Sequence, residues 1–269
     1  MKDIFGNLLR ITPPFRGKWR LQKLWEKFVK DGRRIALLPD GSTVEVEMDI
    51  PYERLIWLQS EEWHELEYLK YRLRKNDTFV DVGANLGIWT LVAATVVGSA
   101  GRVFSFEPNP KTYLKLNTNV QRNGKSDIVK TFPNAVSRSE EMVSFSCRRE
   151  HNFSAISDAP HSESVMPVEA VSLDSVLQGC KITGIKMDTE GHELACLEGA
   201  ARTLRESSPW LIIEFNTMLL NSPILKDWEV FRFLAPFGYR PFIYSGPREA
   251  TEITDSFTTS RYCNILFQR

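Results

Sequence analysis

The sequence lacks the features that hold small secreted scaffolds or membrane proteins together. Its 269 residues include four cysteines, which are scattered and form no CxxC pair, so neither a zinc site nor a disulfide framework is expected. The longest apolar run, near Leu91 to Val97, is too short to span a bilayer. The amino terminus also lacks the apolar core and cleavage site of a signal peptide. These absences predict a cytoplasmic protein with reduced thiols.

The chain also lacks net charge, because 34 basic side chains balance 34 acidic ones. No global field would draw it to nucleic acid, so a nucleic-acid partner is not expected. Basic and aromatic side chains alternate in the segment 10–34. This segment predicts a helix over 18–30 whose apolar face packs on the domain, with Leu21, Leu24, Trp25 and Phe28 on that face. A peripheral contact with a membrane or another anionic partner is the alternative.

Strands and helices alternate from Thr78 onward, which predicts an α/β fold with a doubly wound, mainly parallel sheet. The last two β-rich runs, YRPFIYSG and RYCNILFQ, predict a carboxyl-terminal antiparallel strand pair. Residues 1–75 predict an extension of helix and β-hairpin, and residues 76–269 the core domain. Residues 138–170 interrupt the alternation and predict an inserted hairpin or lid, in which His151 and His161 are weak acceptor-site candidates.

A glycine turn follows the first core strand, in the stretch FVDVGANLG at residues 79–87. Gly83 and Gly87 allow a tight turn and close approach of a ligand, and the following helix would direct its N–H groups at that ligand. The dinucleotide fingerprint G-x-G-x-x-G is not met, because Asn85 and Ile88 replace its second and third glycines. Asp81, at the strand end, would repel a phosphate and suits a cationic or amino group.

Glu107 ends the next strand, 20 positions after Gly87. A carboxylate there can accept hydrogen bonds from both ribose hydroxyls. Together with Asp81 and the glycine turn, it fits a cofactor with a ribose, no phosphate and a positive end. S-adenosylmethionine meets that description. A nicotinamide-dependent oxidoreductase and a non-catalytic adenosyl-cofactor-binding module are the alternatives.

Several stretches resemble the FkbM-type S-adenosylmethionine-dependent methyltransferases. They are FVDVGANLGIWT, VFSFEPNPKTYLKLNTNV, NAVS and SLDSV followed by ITGIKMDTEGHELACLEGAARTL and PWLIIEFN, over about 77–216. The resemblance implies a class I methyltransferase (Rossmann-like) fold and methylation of a hydroxyl oxygen, with diverse acceptors. The residues that it matches to cofactor positions are Asp81, Gly83, Asn85, Gly87, Glu107, Asn134 and Ala135. Asn109, suited to cap the next helix before Pro110, is grouped with them.

The resemblance also matches Asp188, Glu190 and His192 to the family's signature after the fourth strand. Asp188 could accept the acceptor's proton, hold the cofactor's amino end or bind a metal, but it could also only cap the next helix. Glu190 could be a base or a first-turn acid favoured by the helix dipole. His192 has a suitable pKa for a base, or it only packs.

Glu214, at the end of PWLIIEFN, reaches the same sheet edge and could join Asp188 around a divalent cation. No dense carboxylate cluster demands one, so a cation is not expected and metal ligands stay unknown. The sequence predicts an O-methyltransferase acting on a hydroxyl of a sugar, glycan, lipid or secondary metabolite. It names neither the acceptor nor the oligomeric state.

Overall fold

The structure is a computed structural model that describes residues 4–12, 18–29, 32–59, 62–146, 155–156, 165–220, 222–246 and 248–269. The amino-terminal part contains α1 (Ile4–Ile11), α2 (Lys18–Glu26), β1 (Arg33–Leu37), β2 (Thr43–Glu47), α3 (Pro51–Trp57) and α4 (Trp63–Arg72). The hairpin around Pro39-Asp40-Gly41 forms as predicted, with β1 and β2 antiparallel. Helices α1 and α3 are additions that the sequence analysis did not predict.

Strands and helices alternate in the rest of the described chain. They are β3 (Thr78–Val82), α5 (Ile88–Val97), β4 (Arg102–Phe106), α6 (Pro110–Arg122), β5 (Val129–Phe132), β6 (Ala135–Val136), β7 (Glu141–Ser146), β8 (Ala155–Ile156), β9 (Val165–Val171), α7 (Leu173–Val176), β10 (Gly184–Met187), α8 (Glu193–Glu198), α9 (Ala201–Ser207), β11 (Trp210–Asn216), α10 (Glu229–Leu234), β12 (Arg240–Gly246), β13 (Glu249–Glu252) and β14 (Tyr262–Gln268).

Eight strands form the main sheet in the order β13-β12-β14-β11-β10-β3-β4-β5. The five strands from β11 to β5 are parallel, and β14 runs antiparallel to both β11 and β12. This topology confirms the predicted class I methyltransferase fold with its terminal antiparallel pair. From β3 the chain continues outward to β4 and β5, whereas from β10 it continues the other way to β11. Ligands bind at such a switch point, beyond the carboxyl ends of the strands.

Two helices fix the loops at that switch point. Nearly all of α5 is buried, as expected for a helix that is apolar on every side. Helix α6 begins at Asn109, whose Oδ1 accepts a hydrogen bond from the N–H of Lys111 at 3.0 Å, with Pro110 in the first turn. The cap predicted for Asn109 is therefore present, and it fixes the chain directly after Glu107.

The amino-terminal hairpin is hydrogen-bonded to α6. The N–H of Glu45 donates to Asn119 at 3.1 Å, and that of Thr43 donates to Asn123 at 2.9 Å. The amide of Asn119 in turn donates to the carbonyl of Leu86, in the glycine turn, at 2.9 Å. The same helix thus holds both the extension and the cofactor turn. The division of the chain at residue 76 remains a prediction.

The predicted packing of the segment 18–30 is wrong for three of the four apolar side chains named for its buried face. Trp25 is buried and stacks on Trp57, with 5.6 Å between ring centroids. Leu21, Leu24 and Phe28 are exposed, Phe28 by 74%. The helix ends at Glu26, so Phe28 lies beyond the regular helix. A contact of this face with a membrane or an anionic partner remains a prediction.

The run ELACLEGAARTLRES, whose apolar pattern is typical of one helix, is divided into α8 and α9. The N–H of Asp174 donates to the carbonyl of Gly199 at 2.8 Å, and the Asp174 carboxylate accepts two N–H groups in the first turn of α9, so a new helix begins after Gly199. The insert forms a second sheet, in which β9 pairs with β7 antiparallel and with β6 parallel. His151 and His161 lie outside the described residues. No described helix is long and apolar enough to cross a bilayer.

Candidate functional site

A cavity of about 370 Å³ lies at the carboxyl ends of β3, β4, β10 and β11, where the sheet order predicts a ligand. This volume is in the range of small-molecule sites. Of the predicted site residues, those that line the cavity are Gly83, Asn85, Glu107, Asn134, Ala135, Asp188 and Glu190. Segments from the two halves of the sheet therefore meet around one space.

Four predicted site residues are not among those that line the cavity: Asp81, Gly87, Asn109 and His192. Asp81 is completely buried beneath the turn, and the hydroxyl of Thr90 donates to its Oδ2 at 2.6 Å. His192 lies beside Ser137, with 3.1 Å between Nε2 and Oγ. Asp81 and Asn109 support the residues of the cavity wall from behind it.

The glycine turn is pressed against the end of β10. Gly83 has a φ of +74°, and a side chain there would overlap the carbonyl oxygen of Asp188. The N–H groups of Gly83 and Ala84 both bond the carbonyl of Phe106, at 3.0 and 2.9 Å. Asn85 also has a positive φ of 50°, a conformation that asparagine tolerates better than most residues. The turn is thus fixed from both neighbouring strands.

Glu107 is held rigidly at the junction of the turn and β4. Its Oε2 accepts the N–H of Asn85 and its Oε1 the N–H of Asn109, each at 2.9 Å. Burial raises the pKa of Glu107 to about 7, while these two N–H groups favour the charged form. Each carboxylate oxygen can accept a further hydrogen bond, so the group is preorganised for a ligand with two hydroxyls.

Lys186 is a site residue that the sequence analysis missed. Its Nζ donates to the carbonyl of Gly83 at 3.2 Å and to Asp188 Oδ2 at 3.3 Å. Burial lowers the pKa of Lys186, but the carboxylates of Asp188, Asp81 and Glu62 raise it above its usual value. A lysine inside the buried strand GIKM was a usable signal, since lysine is almost never fully buried unless paired.

Glu62 is the second missed residue, and it comes from the extension. It lines the cavity, and its Oε2 accepts the indole N–H of Trp89 at 2.7 Å. Burial raises the pKa of Glu62 to about 7, with Lys186 opposing and Asp188 adding to that rise. No local pattern marked Glu62, because its position depends on how α4 packs against α5.

Three carboxylates meet at the far end of the cavity. Asp188, Glu190 and Glu214 each have an oxygen within 4.8 Å of the others. Burial, followed by the negative charges of Asp188 and Glu190, raises the pKa of Glu214 to about 9. Such a group could hold a divalent cation, so the structure supplies the cluster that the sequence analysis did not find.

The loop that carries this cluster is held from below by a buried acid. Oε1 of Glu193 accepts the N–H groups of Thr189 at 3.0 Å and Gly191 at 3.1 Å. Between them, Glu190 has a positive φ of 54°. Such a backbone costs free energy and persists only where its surroundings enforce it. Glu193 therefore holds the loop that places Glu190 at the edge of the cavity.

The wall beyond these acids comes from the last strand, with Tyr262, Cys263 and Asn264 lining the cavity. Burial and the nearby carboxylate of Glu214 raise the pKa of the Cys263 thiol to about 11. Cys263 is therefore a neutral thiol at physiological pH and not an activated nucleophile. The sequence analysis did not place this segment at the site.

Comparison with known proteins agrees with this geometry. The model of the methyltransferase FkbM domain family matches residues 81–240, more than half of the chain. A curated relative, the hexuronic acid methyltransferase AglP of Haloferax volcanii, is 28% identical over 150 residues. The match covers 53% of this chain and 57% of that relative, so the chain spans little more than half of the relative's length.

Two solved structures are also similar. A methyltransferase FkbM from Methylobacillus flagellatus has 17% identity and a TM-score of 0.49, covering 81% of this chain and 54% of its own. A SAM-dependent O-methyltransferase from Thermotoga maritima has 13% identity and a TM-score of 0.44, covering 93% and 81%. The conclusion rests on the family match over residues 81–240: the chain belongs to the FkbM methyltransferase-domain family.

Proposed function

We propose that the protein is an S-adenosylmethionine-dependent O-methyltransferase that methylates a hydroxyl of a sugar, glycan, lipid or secondary metabolite. One observation carries the proposal: Glu107 is locked by two backbone N–H groups beside the glycine turn, in a cavity that ends at Asp188. A ribose-binding acid and a proton acceptor thus occupy the two ends of one site.

The residues present fit the adenosyl cofactor. Oδ1 of Asn85 is buried without a hydrogen-bond partner among the described residues, and such atoms normally find one. A donor group of a ligand against the turn would supply it. Carboxylates outnumber the single cationic side chain, Lys186, among the residues that line the cavity in the described chain, which suits a ligand with a positive sulfur.

Each residue then has a distinct task. When bound, the cofactor supplies a methyl group on a positively charged sulfur, open to in-line attack by a hydroxyl oxygen. Glu107 accepts the two ribose hydroxyls, while Asn134 and Ala135 border the adenine. Asp188 takes the proton of the acceptor hydroxyl, and Lys186 donates a hydrogen bond to that carboxylate.

Asp188 is the favoured base among the three candidates. Asp188 and Glu190 line the cavity, whereas His192 does not and is placed beside Ser137. Lys186 lies 3.3 Å from Asp188 Oδ2 and holds this carboxylate in place directly after β10. We assign Glu190 to binding the acceptor or a cation, and His192 to supporting the loop.

A sugar hydroxyl is the first acceptor class to test. The relative AglP is named as a hexuronic acid methyltransferase and is 28% identical to this chain over 150 residues. The acidic far end of the cavity can accept hydrogen bonds from several hydroxyls. The cytoplasmic location and a peripheral membrane contact remain predictions.

Two measurements test the proposal. Titration calorimetry should detect binding of S-adenosylhomocysteine but not of NAD; binding of NAD alone would show a nicotinamide enzyme instead. Transfer of a labelled methyl group should then be measured into glycans and lipids, with and without Mg²⁺ and EDTA. Cofactor binding without transfer to any hydroxyl compound would favour a non-catalytic module.

A further inference from the structure

A second binding function lies on the side of the glycine turn away from Glu107, and its assignment rests on the proposed function. Residues that line the cavity follow the sheet order. Asn134 comes after β5, Glu107 after β4, Gly83 after β3, and Lys186 lies in β10. Neighbouring strands are about 4.8 Å apart. A ligand with its nucleoside at Asn134 and Glu107 therefore extends across Gly83 toward Lys186.

Glu62 faces that same end of the cavity at a conformational cost. It precedes α4 with a left-handed φ of 55°, and its side chain makes no capping hydrogen bond. Left-handed backbone is unfavourable for glutamate. The chain accepts this strain, and Glu62 lines the cavity. Costs of this kind concentrate at binding sites.

Trp89 fixes the direction of the Glu62 carboxylate. The indole N–H donates to Oε2 at 2.7 Å, and Trp89 itself is buried at the start of α5, next to the glycine turn. An indole can donate but not accept. It therefore holds a carboxylate in one orientation and leaves Oε1 to accept from another group.

Lys186 provides the opposite charge beside it. Two of its acceptors are the carbonyl of Gly83 and the carboxylate of Asp188. An ammonium group has three donors, so one more hydrogen bond is available to an anionic group. Lys186 and Glu62 are near enough that each shifts the other's pKa.

We propose that Glu62 and Lys186 together bind the zwitterionic amino-acid end of the adenosyl cofactor. The Glu62 carboxylate receives the ligand's ammonium group, and the Lys186 ammonium receives its carboxylate. Asp81, the acid that the sequence pointed to for the cationic end, is completely buried and does not line the cavity. The extension thus supplies part of the cofactor site itself.

Two ligands that differ only in this end separate the inference from the proposed function. S-adenosylhomocysteine carries the amino-acid group, and 5′-methylthioadenosine lacks it. In calorimetry, Glu62→Gln should weaken S-adenosylhomocysteine binding at least about tenfold, the scale of one hydrogen bond to a charged group. Binding of 5′-methylthioadenosine should stay within about twofold, because Glu107 and the adenine wall are untouched.

Matched variants control for folding. Glu67→Gln is the same change on the same helix, at an acid paired with Lys70, and it should alter neither affinity. Glutamine at 62 can still accept from Trp89, so Glu62→Gln should keep the unfolding temperature. Trp89→Phe removes the N–H that orients Glu62, and it should weaken S-adenosylhomocysteine more than 5′-methylthioadenosine. Lys186→Met should do the same if it folds.

The outcomes are distinct. Unchanged S-adenosylhomocysteine affinity in Glu62→Gln would overturn the inference and leave the proposed function intact, and so would an equal loss for both ligands. If the wild-type protein bound neither ligand, the proposed function would fail and the inference with it. A selective loss for S-adenosylhomocysteine in Glu62→Gln, absent in Glu67→Gln, is the expected result.

Discussion

We assign the end of the cavity at the glycine turn and Glu107 to the cofactor and call it the adenosyl end. We assign the end at Asp188, Glu190 and Glu214 to the acceptor and call it the acceptor end. The two ends are built differently. At the adenosyl end, Glu107 accepts two backbone N–H groups at 2.9 Å, and the neighbouring helix is capped by Asn109. At the acceptor end, Asp188, Glu190 and Glu214 face one another, and the Glu214 carboxylate accepts a long hydrogen bond from Asn216 at 3.4 Å. The carboxylate at the adenosyl end is satisfied by backbone hydrogen bonds, whereas the acids at the acceptor end repel one another when they are charged.

This difference suits a constant task, cofactor binding, at the adenosyl end and a variable task, acceptor binding, at the acceptor end. Backbone donors do not change when side chains change, so they suit a cofactor shared by a whole family. Side chains from a loop and from the last strand, such as Glu190 and Tyr262, can be exchanged without rebuilding the sheet. An end where one acid keeps its proton because of burial and its charged neighbours is also one that a ligand can stabilise on binding.

Removing the acid at the adenosyl end should have the largest effect. Glu107→Ala leaves the N–H groups of Asn85 and Asn109 without their shared acceptor and removes the ribose contact. We expect no detectable S-adenosylhomocysteine binding in calorimetry. The control is Glu252→Ala, an exposed acid on β13 that pairs with Arg240. Affinity in Glu107→Ala equal to that of the control would contradict the assignment of this end.

Asp188→Asn should reduce methyl transfer while leaving cofactor binding largely intact. The amide keeps the shape and can still accept from Lys186, but it cannot take a proton from a hydroxyl. Turnover of an acceptor found in the labelled-methyl panel should fall at least about 100-fold. S-adenosylhomocysteine affinity should change only a few-fold. Turnover like that of the wild type would remove Asp188 from the mechanism, and Glu190→Gln would then be the next variant to measure.

The residues at the proposed adenosyl end could be brought together from sequence because their signals are local. Gly83, Asn85 and Glu107 follow two adjacent strands, and the alternation of strands and helices sets which strands are adjacent. Asp81, predicted with them, lies inside β3 and not on the cavity wall. Short stretches of chain therefore sufficed to predict the fold and which of these residues lie together, whereas their role in cofactor binding stays a prediction.

The residues that the sequence analysis missed depend on long-range packing. Glu62 reaches the cavity only because α4 packs against α5, and Asn264 reaches it only because β14 inserts beside β11. Long-range contacts also explain the missed helix break, because Asp174 bonds the carbonyl of Gly199 and accepts two N–H groups in the first turn of α9. The exposure of Phe28 has a local cause, since the helix ends two residues earlier.

The contact between the two ends can be tested at Gly83. In Gly83→Ala the new Cβ would overlap the carbonyl of Asp188, and the left-handed φ of +74° adds strain. Gly238→Ala is the control, because its φ of +82° is also left-handed but nothing lies within 4 Å. Both should lose about 1 kcal/mol for the backbone, but only Gly83→Ala should also weaken S-adenosylhomocysteine, by about tenfold or more. Equal affinities would show that the turn yields without disturbing the site.

The smallest expected effect is a gain in stability at the acceptor end. The pKa of Glu214 is about 9 in the folded protein, against 4.5 for an unperturbed glutamate. Between these values the folded state holds a proton that the unfolded state has released, so stability falls as pH rises from the lower value to the higher. Glu214→Gln removes that cost. With EDTA present to exclude cations, its unfolding temperature should match the wild type near about pH 5 and exceed it near about pH 8.5, by about 2–4 °C for each kcal/mol recovered. A lower unfolding temperature at the higher pH would mean that the Glu214 carboxylate is stabilised where it lies. The repulsion that distinguishes the acceptor end from the adenosyl end would then be absent.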